Sequence, residues 1–223
     1  MSGIDQSELC IDGSLVKIST YHLLPNVMDE FISRWQDSFA QEKQGISIVF
    51  ALANKADNSF IWAARYENEG ALANRDYLGA SPDLARLAVR GTVTDAVLVA
   101  ARRRTGAAEP IRPQIGLAWK DLTDSALDVE YKRYVILPDQ WKHFFATWRR
   151  VVELREKAGF RVLFALADQK SNVFTWAVAI AGDFRSSNSS YLTCSERKKL
   201  TGIEGMMSEW EIPHMTVVPL ERR

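Results

Sequence analysis

The pentapeptide Tyr21-His22-Leu23-Leu24-Pro25 returns about 113 residues later as Tyr134-Val135-Ile136-Leu137-Pro138. The likeness continues beyond the proline, with one residue inserted in the second copy. Matched pairs downstream are Phe31 and Phe144, Trp35 and Trp148, Phe50 and Phe164, Asn58 and Asn172, Trp62 and Trp176, and Tyr77 and Tyr191. A similarity held in register over this distance predicts that the chain contains two copies of one structural unit.

Both copies predict the same opening elements. Each begins with a strand, about Leu15 to Leu24 in the first copy and Val129 to Leu137 in the second. The strand ends at a proline, and the residue after it, Asn26 or Asp139, is a good helix N-cap. An apolar stripe with helical spacing follows, formed by Met28, Phe31, Ile32, Trp35 and Phe39 and by Trp141, Phe144, Phe145, Trp148 and Val152. Such a stripe predicts a helix that packs on a sheet.

A hairpin and a second helix–strand pair complete each unit. Gly45 and Gly159 are predicted to end the first helices, and Ser81-Pro82-Asp83 to begin another. Polar turns separate the two strands of each hairpin. The remaining strands are predicted at 46–53, 60–66 and 93–100 in the first copy and at 160–167, 174–180 and 214–220 in the second.

The element order is β-α-β-β-α-β, the order of a ferredoxin-like unit with four antiparallel strands and both helices on one face. A second unit can cover the face that the helices leave bare. The sequence therefore predicts an α+β protein with two tandem ferredoxin-like repeats, packed sheet to sheet as an intramolecular α/β barrel. The predicted division is an N-terminal extension at 1–14, a first repeat at 15–101, a connector at 102–126 and a second repeat at 127–223.

The composition disfavours nucleic acid and membranes as binding partners. The chain has 223 residues with 28 basic and 28 acidic side chains, so its formal charge is zero and no long-range field attracts nucleic acid or an anionic membrane. We expect the basic runs Arg102-Arg103-Arg104 and Arg197-Lys198-Lys199 to be solvated. No uncharged apolar run reaches about 18 residues, and the N-terminus does not resemble a signal peptide. Two distant cysteines, Cys10 and Cys194, are expected to be reduced thiols in a cytoplasmic protein.

The stretch from Glu130 to Pro138 has an acidic residue, a basic residue and a tyrosine on alternate positions before the proline. In this pattern it resembles the opening of NIPSNAP-like proteins, and Trp62 and Trp176 stand where that family often has an aromatic residue. The first copy departs from the pattern at Lys17 and Ser19. The resemblance implies a tandem member of the dimeric α/β-barrel superfamily. That superfamily includes cofactor-free oxygenases, haem-binding enzymes, isomerases, cyclases and dehydratases, with ligands held between the sheet and the covering helices.

Standard catalytic motifs are absent: the sequence has no HExxH, GxxxxGK[ST], GxGxxG or GxSxG pattern. Three histidines and two cysteines are dispersed, so no metal site is predicted. The candidate chemistry rests on isolated polar residues that differ between the copies. His22 has Val135 as its counterpart, and an imidazole can act as a general base or as an axial haem ligand. Strand alternation places His22 on the face expected beneath the helices, which favours a packed structural histidine.

Tyr21 and Tyr134 fall on the opposite strand face. Lys17 and Ser19 accompany the first tyrosine, and Glu130 and Lys132 accompany the second. Such a polar row either lines a ligand cavity or forms a hydrogen-bonded seam between the repeats.

Two further residue types complete the candidate site. Arg65 replaces Ala179 of the second copy, so it either holds a substrate oxyanion or is an exposed strand charge. Trp62 and Trp176 are core anchors or surfaces for stacking a ligand. His143 is expected to face solvent, and His214 to begin an edge strand.

The predicted function is binding of a small apolar or aromatic organic molecule, with cofactor-independent oxygenation, isomerisation or cyclisation as its chemistry. Tyr21 and Tyr134 are the candidate hydrogen-bond donors, Arg65 the oxyanion holder and His22 the base. Lys132, Glu130, Trp62 and Trp176 are the candidate substrate contacts. A non-catalytic ligand-binding or protein-interaction module is the alternative, and a haem-binding protein is a further one. Homo-oligomerisation is left open.

Overall fold

The computed structural model describes residues 15–40, 46–66, 82–99 and 128–219. The first repeat consists of β1 (Leu15–Leu23), α1 (Met28–Ala40), β2 (Ile46–Asn54), β3 (Ser59–Tyr66), α2 (Pro82–Ala85) and β4 (Ala88–Leu98). The second consists of β5 (Asp128–Ile136), α3 (Trp141–Lys157), β6 (Arg161–Asp168), β7 (Val173–Ile180), α4 (Phe184–Thr193), α5 (Ser195–Lys198), β8 (Met207–Glu211) and β9 (His214–Val217). The predicted element order is confirmed, and β8 is an addition. Cys10, Gly45, Ser81 and the connector at 102–126 lie outside the described residues, so the domain boundaries stay predictions.

The helix starts differ from the predicted N-caps. Asn26 has a left-handed backbone with φ of 65° and belongs to the turn before α1. Asp139 lies in a 3-10 turn, Pro138–Gln140, and α3 begins directly after it without a side-chain cap. A proline and the residue after it therefore form a turn in both copies, and the helix begins two positions after that residue, at Met28 and at Trp141.

The hairpins form as predicted. Asn58 and Asn172 adopt left-handed φ angles of 55° and 57°, a conformation that asparagine tolerates better than most residues. The sheet register then pairs Trp62 with Ser19 in the first repeat and Trp176 with Lys132 in the second. Gly159, with φ of 86°, follows the end of α3.

The strands close into one barrel. Their order is β7-β6-β4-β1-β3-β2-β9-β5, and β5 also pairs with β7, which completes a ring of eight strands. The two repeats join through β2 with β9 and through β4 with β6. The ninth strand, β8, pairs with β5 along the same edge as β9, and the two are separated by Ile212 and Pro213. Strands β1 and β5 thus lie on opposite sides of the barrel.

The barrel interior is packed by both repeats. The rings of Phe50 and Phe164, which occupy equivalent positions, stack with centroids 3.9 Å apart at an interplanar angle of 6°. Tyr131 packs against both rings at 6.4 Å. Burial of the Tyr131 hydroxyl in this interior raises its pKa to about 12. The two sheets therefore cover each other's inner faces with side chains.

The strand faces are the reverse of those predicted. Tyr21 contacts Phe31 of α1 with ring centroids 5.3 Å apart, and Tyr134 contacts Phe144 of α3 at 6.2 Å. The polar row therefore lies beneath the helices. His22 has the opposite orientation along β1, so the prediction that it packs beneath a helix is wrong. Both faces of a barrel strand are buried, so alternation separates the faces without showing which one a helix covers.

The last strands also differ in their bounds. β4 begins at Ala88, five residues before the predicted start, and β9 lies between β2 and β5 instead of at an edge. Among the helices of the described residues, none combines the length and the apolarity that crossing a bilayer requires.

Candidate functional site

A cavity of about 270 Å³ lies in the second repeat, between the outer face of β5 and β7 and the helices α3 and α4. We call it the second-repeat cavity. Its base is formed by Glu130, Lys132, Tyr134, Arg155, Trp176 and Tyr191. Its rim carries Leu192, Trp210 and Ile212, three large apolar side chains that are exposed to solvent.

Three charged side chains are buried together at the base. Lys132 donates to Oε2 of Glu130. A guanidinium nitrogen of Arg155 lies 3.7 Å from the same oxygen. All three residues expose 6% or less of their surface. Two cations thus share one carboxylate, and the cluster carries a net positive charge in an apolar surrounding.

Aromatic rings hold the arginine in place. The Arg155 guanidinium lies 4.0 Å from the ring centroid of Tyr191 and 4.5 Å from that of Phe160. It also donates to the side-chain oxygen of Asn188 at 2.6 Å. Planar stacking on two rings suits a guanidinium, so Arg155 is fixed by contacts that a lysine would not make.

A second arginine lies beside this cluster. Arg197 donates to the carbonyl of Leu200 at 2.9 Å and lies 3.8 Å from Glu204. Its guanidinium is 6.0 Å from the ring centroid of Tyr191. The cavity walls therefore contain three cations and two carboxylates.

Burial shifts the ionisation of the groups at the base. Desolvation lowers the pKa of Lys132 to about 8 although Glu130 opposes the shift, and the charges of Arg155 and Arg197 lower it further. Desolvation also raises the pKa values of Tyr134 and Tyr191. The site therefore combines an amine that is readily deprotonated with two phenols that stay protonated as hydrogen-bond donors.

Four of the residues predicted for the site come together in this cavity: Glu130, Lys132, Tyr134 and Trp176. The Lys132 ammonium lies 5.8 Å from the ring centroid of Trp176. Trp176 is also an anchor of the core, because its ring meets Trp148 edge to face at 5.8 Å. Trp176 is therefore a core anchor that also lines the cavity, and its role in stacking a ligand stays a prediction.

The other four predicted residues lie elsewhere. Tyr21 and Trp62 are buried beneath α1, where Trp62 meets Trp35 at 5.8 Å. His22 lies at one end of β1, with Nε2 3.1 Å from a guanidinium nitrogen of Arg90. Arg65 pairs with Val16 near the other end of that strand. The four residues predicted to be catalytic therefore do not lie together, and their catalytic roles stay predictions. These are Tyr21, His22, Arg65 and Tyr134.

The sequence analysis does not predict three residues of the cavity base and wall as site residues. Arg155 follows Trp148 by seven positions on the apolar stripe of α3, and a cation on that stripe was a usable signal. Tyr191 was seen only as a repeated residue. Arg197 was assigned to a solvated charge run, but its side chain is mostly buried against the cavity wall. Its position follows from the fold of the segment after α4, which the sequence pattern does not predict.

A larger and more open cleft of about 500 Å³ lies between β4 and the β6–β7 turn. Its two carboxylates contact neighbouring residues of the fold. Asp168 accepts from the backbone nitrogens of Lys170 and Ser171, and Asp95 lies 3.7 Å from Lys17. The described lining of this cleft contains no buried charged cluster, so the second-repeat cavity is the better candidate despite its smaller volume.

The remaining histidines and the cysteine lie outside the cavity. His143 faces solvent on α3, as predicted. His214 lies 3.1 Å from Asp128 and 4.0 Å from Glu130, at the outer edge of the charged cluster. Cys194 is a free, exposed thiol. Across residues 15–40, 46–66, 82–99 and 128–219, no three His, Cys, Asp or Glu side chains are grouped so that they could hold a metal ion.

Comparison with known proteins identifies the fold. No family model and no curated protein matches the chain. An anthrone oxidase-like protein has a similar structure, with a TM-score of 0.65, 11% identity and coverage of 94% of this chain and 93% of that one. A candidate monooxygenase of Fusobacterium nucleatum is similar with a TM-score of 0.61, 14% identity and 92% coverage of both chains.

A single-residue variant of chlorite dismutase from Candidatus Nitrospira defluvii also has this fold, with a TM-score of 0.56 and 10% identity over 93% of this chain and 92% of that one. At such identities the likeness establishes the architecture alone. The chain has the dimeric α/β-barrel fold, with both halves in one polypeptide, as the sequence predicted. The narrower NIPSNAP-like resemblance stays a prediction.

The sequence predicts no cofactor and leaves haem as an alternative, and the described residues of the cavity do not fit haem. Haem iron is held by histidine, cysteine, methionine paired with histidine, or tyrosinate. The described lining contains neither histidine nor cysteine. Raised pKa values disfavour the tyrosinate form of Tyr134 and Tyr191. The described lining therefore provides none of these ligand sets for haem iron.

Proposed function

We propose that the chain binds a small organic molecule with an apolar or aromatic body and an acidic oxygen in the second-repeat cavity. The observation that carries the proposal is the buried cluster of Lys132, Glu130 and Arg155 beneath aromatic walls. The excess positive charge suits an anionic oxygen, and the rings of Trp176 and Tyr191 suit a flat apolar body. A few polar groups on an apolar wall are the usual composition of a small-molecule site.

The proposed chemistry begins with proton abstraction by Lys132. Its lowered pKa, about 8, provides a fraction of neutral amine near neutral pH. The proton passes from the substrate to the amine nitrogen, and Arg155 stabilises the resulting anion. Tyr134 donates a hydrogen bond from the floor of the cavity. Cofactor-independent oxygenation, isomerisation and cyclisation each use such an anion, so the base moves from His22 to Lys132 in this proposal.

Calorimetric titration with 2-naphthoate, compared with the neutral 2-naphthylmethanol, tests the binding proposal. We expect the carboxylate to bind at least tenfold more tightly at pH 7, because only the anion gains from the cluster's positive charge. Equal affinity for the two compounds, or binding of neither, would contradict the proposal.

Substitutions at exposed positions locate the bound molecule without disturbing the core. Leu192→Asp and Trp210→Ala change the cavity rim, whereas Val89→Asp changes an exposed apolar residue of β4. We expect weaker 2-naphthoate binding in the two rim variants and unchanged binding in the β4 variant. Loss of binding in all three, or in none, would place the molecule elsewhere.

A non-catalytic interaction module is the second candidate, favoured by the exposed apolar rim. Trp210 exposes 56% of its surface on a strand at the outer edge of the sheet. Exposed apolar groups that lie together often mark a contact surface. A rim that contacts protein predicts that Trp210→Asp changes the assembly size in analytical ultracentrifugation. A rim that serves only as the cavity mouth predicts no change.

A further inference from the structure

Lys132 is buried, and it also lines the second-repeat cavity. The residue exposes 4% of its surface, yet its side chain forms part of the cavity wall. Its partner Glu130 holds it from one side, and the Trp176 ring lies on another. A molecule that enters the cavity therefore lies against the Lys132 side chain at the base.

Burial and two nearby cations favour the neutral form of the Lys132 amine, and Glu130 opposes them. Glu130 on β5 is the acidic group in contact with the amine. Arg155 on α3 and Arg197 on α5 are the cations. Tyr134, Tyr191 and Glu204 are the other titratable groups of the described lining. Desolvation and nearby cations together lower the pKa of Lys132 to about 8. Both effects are known to turn a lysine into a nucleophile towards carbonyl compounds.

We propose that Lys132 captures an aldehyde or ketone carried by the molecule in the second-repeat cavity and forms a Schiff base with it. The inference rests on the proposed function, because the cavity must admit the molecule. It goes beyond proton abstraction, since the lysine nitrogen becomes covalently bonded to the substrate carbon.

The step needs no oxidant or reductant. The Nζ lone pair of the neutral amine forms a bond to the carbonyl carbon as the carbonyl π electrons move to the oxygen. Glu130 carries one of the two protons on the nitrogen to this oxygen, which gives a neutral carbinolamine. Glu130 then carries the second nitrogen proton to the hydroxyl, so that water leaves and the carbon–nitrogen double bond forms. The net change is one water released for each imine formed. The apolar walls limit access of bulk water and so slow the reverse hydrolysis.

The matching probe is 2-naphthaldehyde with sodium cyanoborohydride, which reduces an imine to a stable secondary amine. Peptide mapping by mass spectrometry then reports the modified lysines. At pH 7.5 we expect Lys132 to be modified about tenfold faster than exposed lysines such as Lys55, because burial lowers the pKa of Lys132 to about 8 and so increases its fraction of neutral amine. An excess of 2-naphthoate should slow the modification of Lys132 alone.

Lys132→Arg keeps the charge beside Glu130 and should abolish the selective modification. Lys17→Arg, at a lysine of β1 in the first repeat, is the matched control and should leave it unchanged. Urea unfolding of each variant confirms that it is folded. If Lys132→Arg does not fold, the order of lysine modification in the unaltered protein still decides the question.

The outcomes separate the two proposals. Modification spread over the exposed lysines, with Lys132 no faster than Lys55, overturns the Schiff-base inference whether or not 2-naphthoate binds. In that case, tight binding of 2-naphthoate would leave the proposed function intact. Selective modification of Lys132 supports the inference even if the carboxylate binds weakly.

Discussion

The two repeats have nearly the same aromatic core beneath their first helices. Trp35 lies 5.1 Å from Phe60 in the first repeat, and Trp148 lies 5.0 Å from Phe174 in the second. The repeats differ in the polar row beside these rings. The first has Lys17, Ser19 and Tyr21, whereas the second has Glu130, Lys132 and Tyr134.

The difference shows how a duplicated scaffold can bury a charged cluster in one copy only. In the first repeat, Lys17 pairs at 3.7 Å with an Asp95 side chain that is 74% exposed. In the second, both members of the Lys132–Glu130 pair are buried, and Arg155 joins them. The equivalent aromatic contacts occur in both halves, so the packing of the rings does not depend on the charged residues of one half.

The largest losses of stability should come from the core tryptophans and should be equal in the two repeats. Trp35→Ala and Trp148→Ala each remove a fully buried indole, and we expect each to lower the free energy of unfolding by about 3–5 kcal/mol. Urea denaturation followed by circular dichroism measures both. A small effect in one repeat with a large effect in the other would show that the two cores are not equivalent.

Loss of the buried carboxylate in the second repeat should lower stability more than loss of the exposed carboxylate in the first. Glu130→Gln leaves two buried cations without their partner, so we expect a loss of about 3 kcal/mol in the free energy of unfolding. Asp95→Asn breaks the more exposed pair of the first repeat and should cost less than about 1 kcal/mol. Equal costs for the two variants would contradict the view that only the second repeat contains a buried charged site.

The pH dependence of stability should reveal Lys132. Its pKa is about 8 in the folded protein, against about 10.4 in the unfolded chain, so between these values the unfolded state binds more protons. The free energy of unfolding of the native protein, minus that of Lys132→Met, should therefore rise with pH, by about 2 kcal/mol from pH 7.5 to 9.5. Lys17→Met provides the comparison in the first repeat. A flat or falling difference for Lys132 would show that burial does not destabilise its charged ammonium form.

The smallest effects concern the two tyrosines. Tyr134→Phe removes a hydroxyl from the cavity base, and we expect 2-naphthoate to bind about 3–10-fold more weakly. Tyr21→Phe removes the equivalent hydroxyl beneath α1, away from the cavity, and should leave binding unchanged. Calorimetry on both variants decides this. Equal losses would place the tyrosines in a shared structural role.

Much of the fold follows from the sequence because the repeat shows every element twice. The stripe of Trp141, Phe144 and Trp148 predicts a helix on a sheet, and all three are buried there. The barrel follows because each sheet has an inner face that only the other sheet can cover, as the stacked Phe50 and Phe164 show. Strand β8 was not predicted, since it is short and its residues are largely exposed.

The site was only half predictable. The contrast between Lys132 and Ser19 is visible in the sequence, and it places polar residues of the candidate site on the first strand of the second repeat. The side on which they lie does not follow from the sequence, because Tyr131 packs in the barrel interior while Tyr134, on the opposite face of the same strand, packs under α3. The contacts of Arg155 and Arg197 depend on how α4 and the segment after it cross the sheet, and periodicity within one element does not contain that information.

Nuclear magnetic resonance of the tryptophan indole groups tests directly whether the second repeat alone binds the molecule. The chain has seven tryptophans, and single Trp→Phe variants assign their indole N–H signals. On titration with 2-naphthoate, we expect the signals of Trp176 and Trp210 to shift with one common binding curve, while those of Trp35 and Trp62 stay in place. Shifts at Trp35 and Trp62, with Trp176 unmoved, would contradict the assignment of the site to the second repeat.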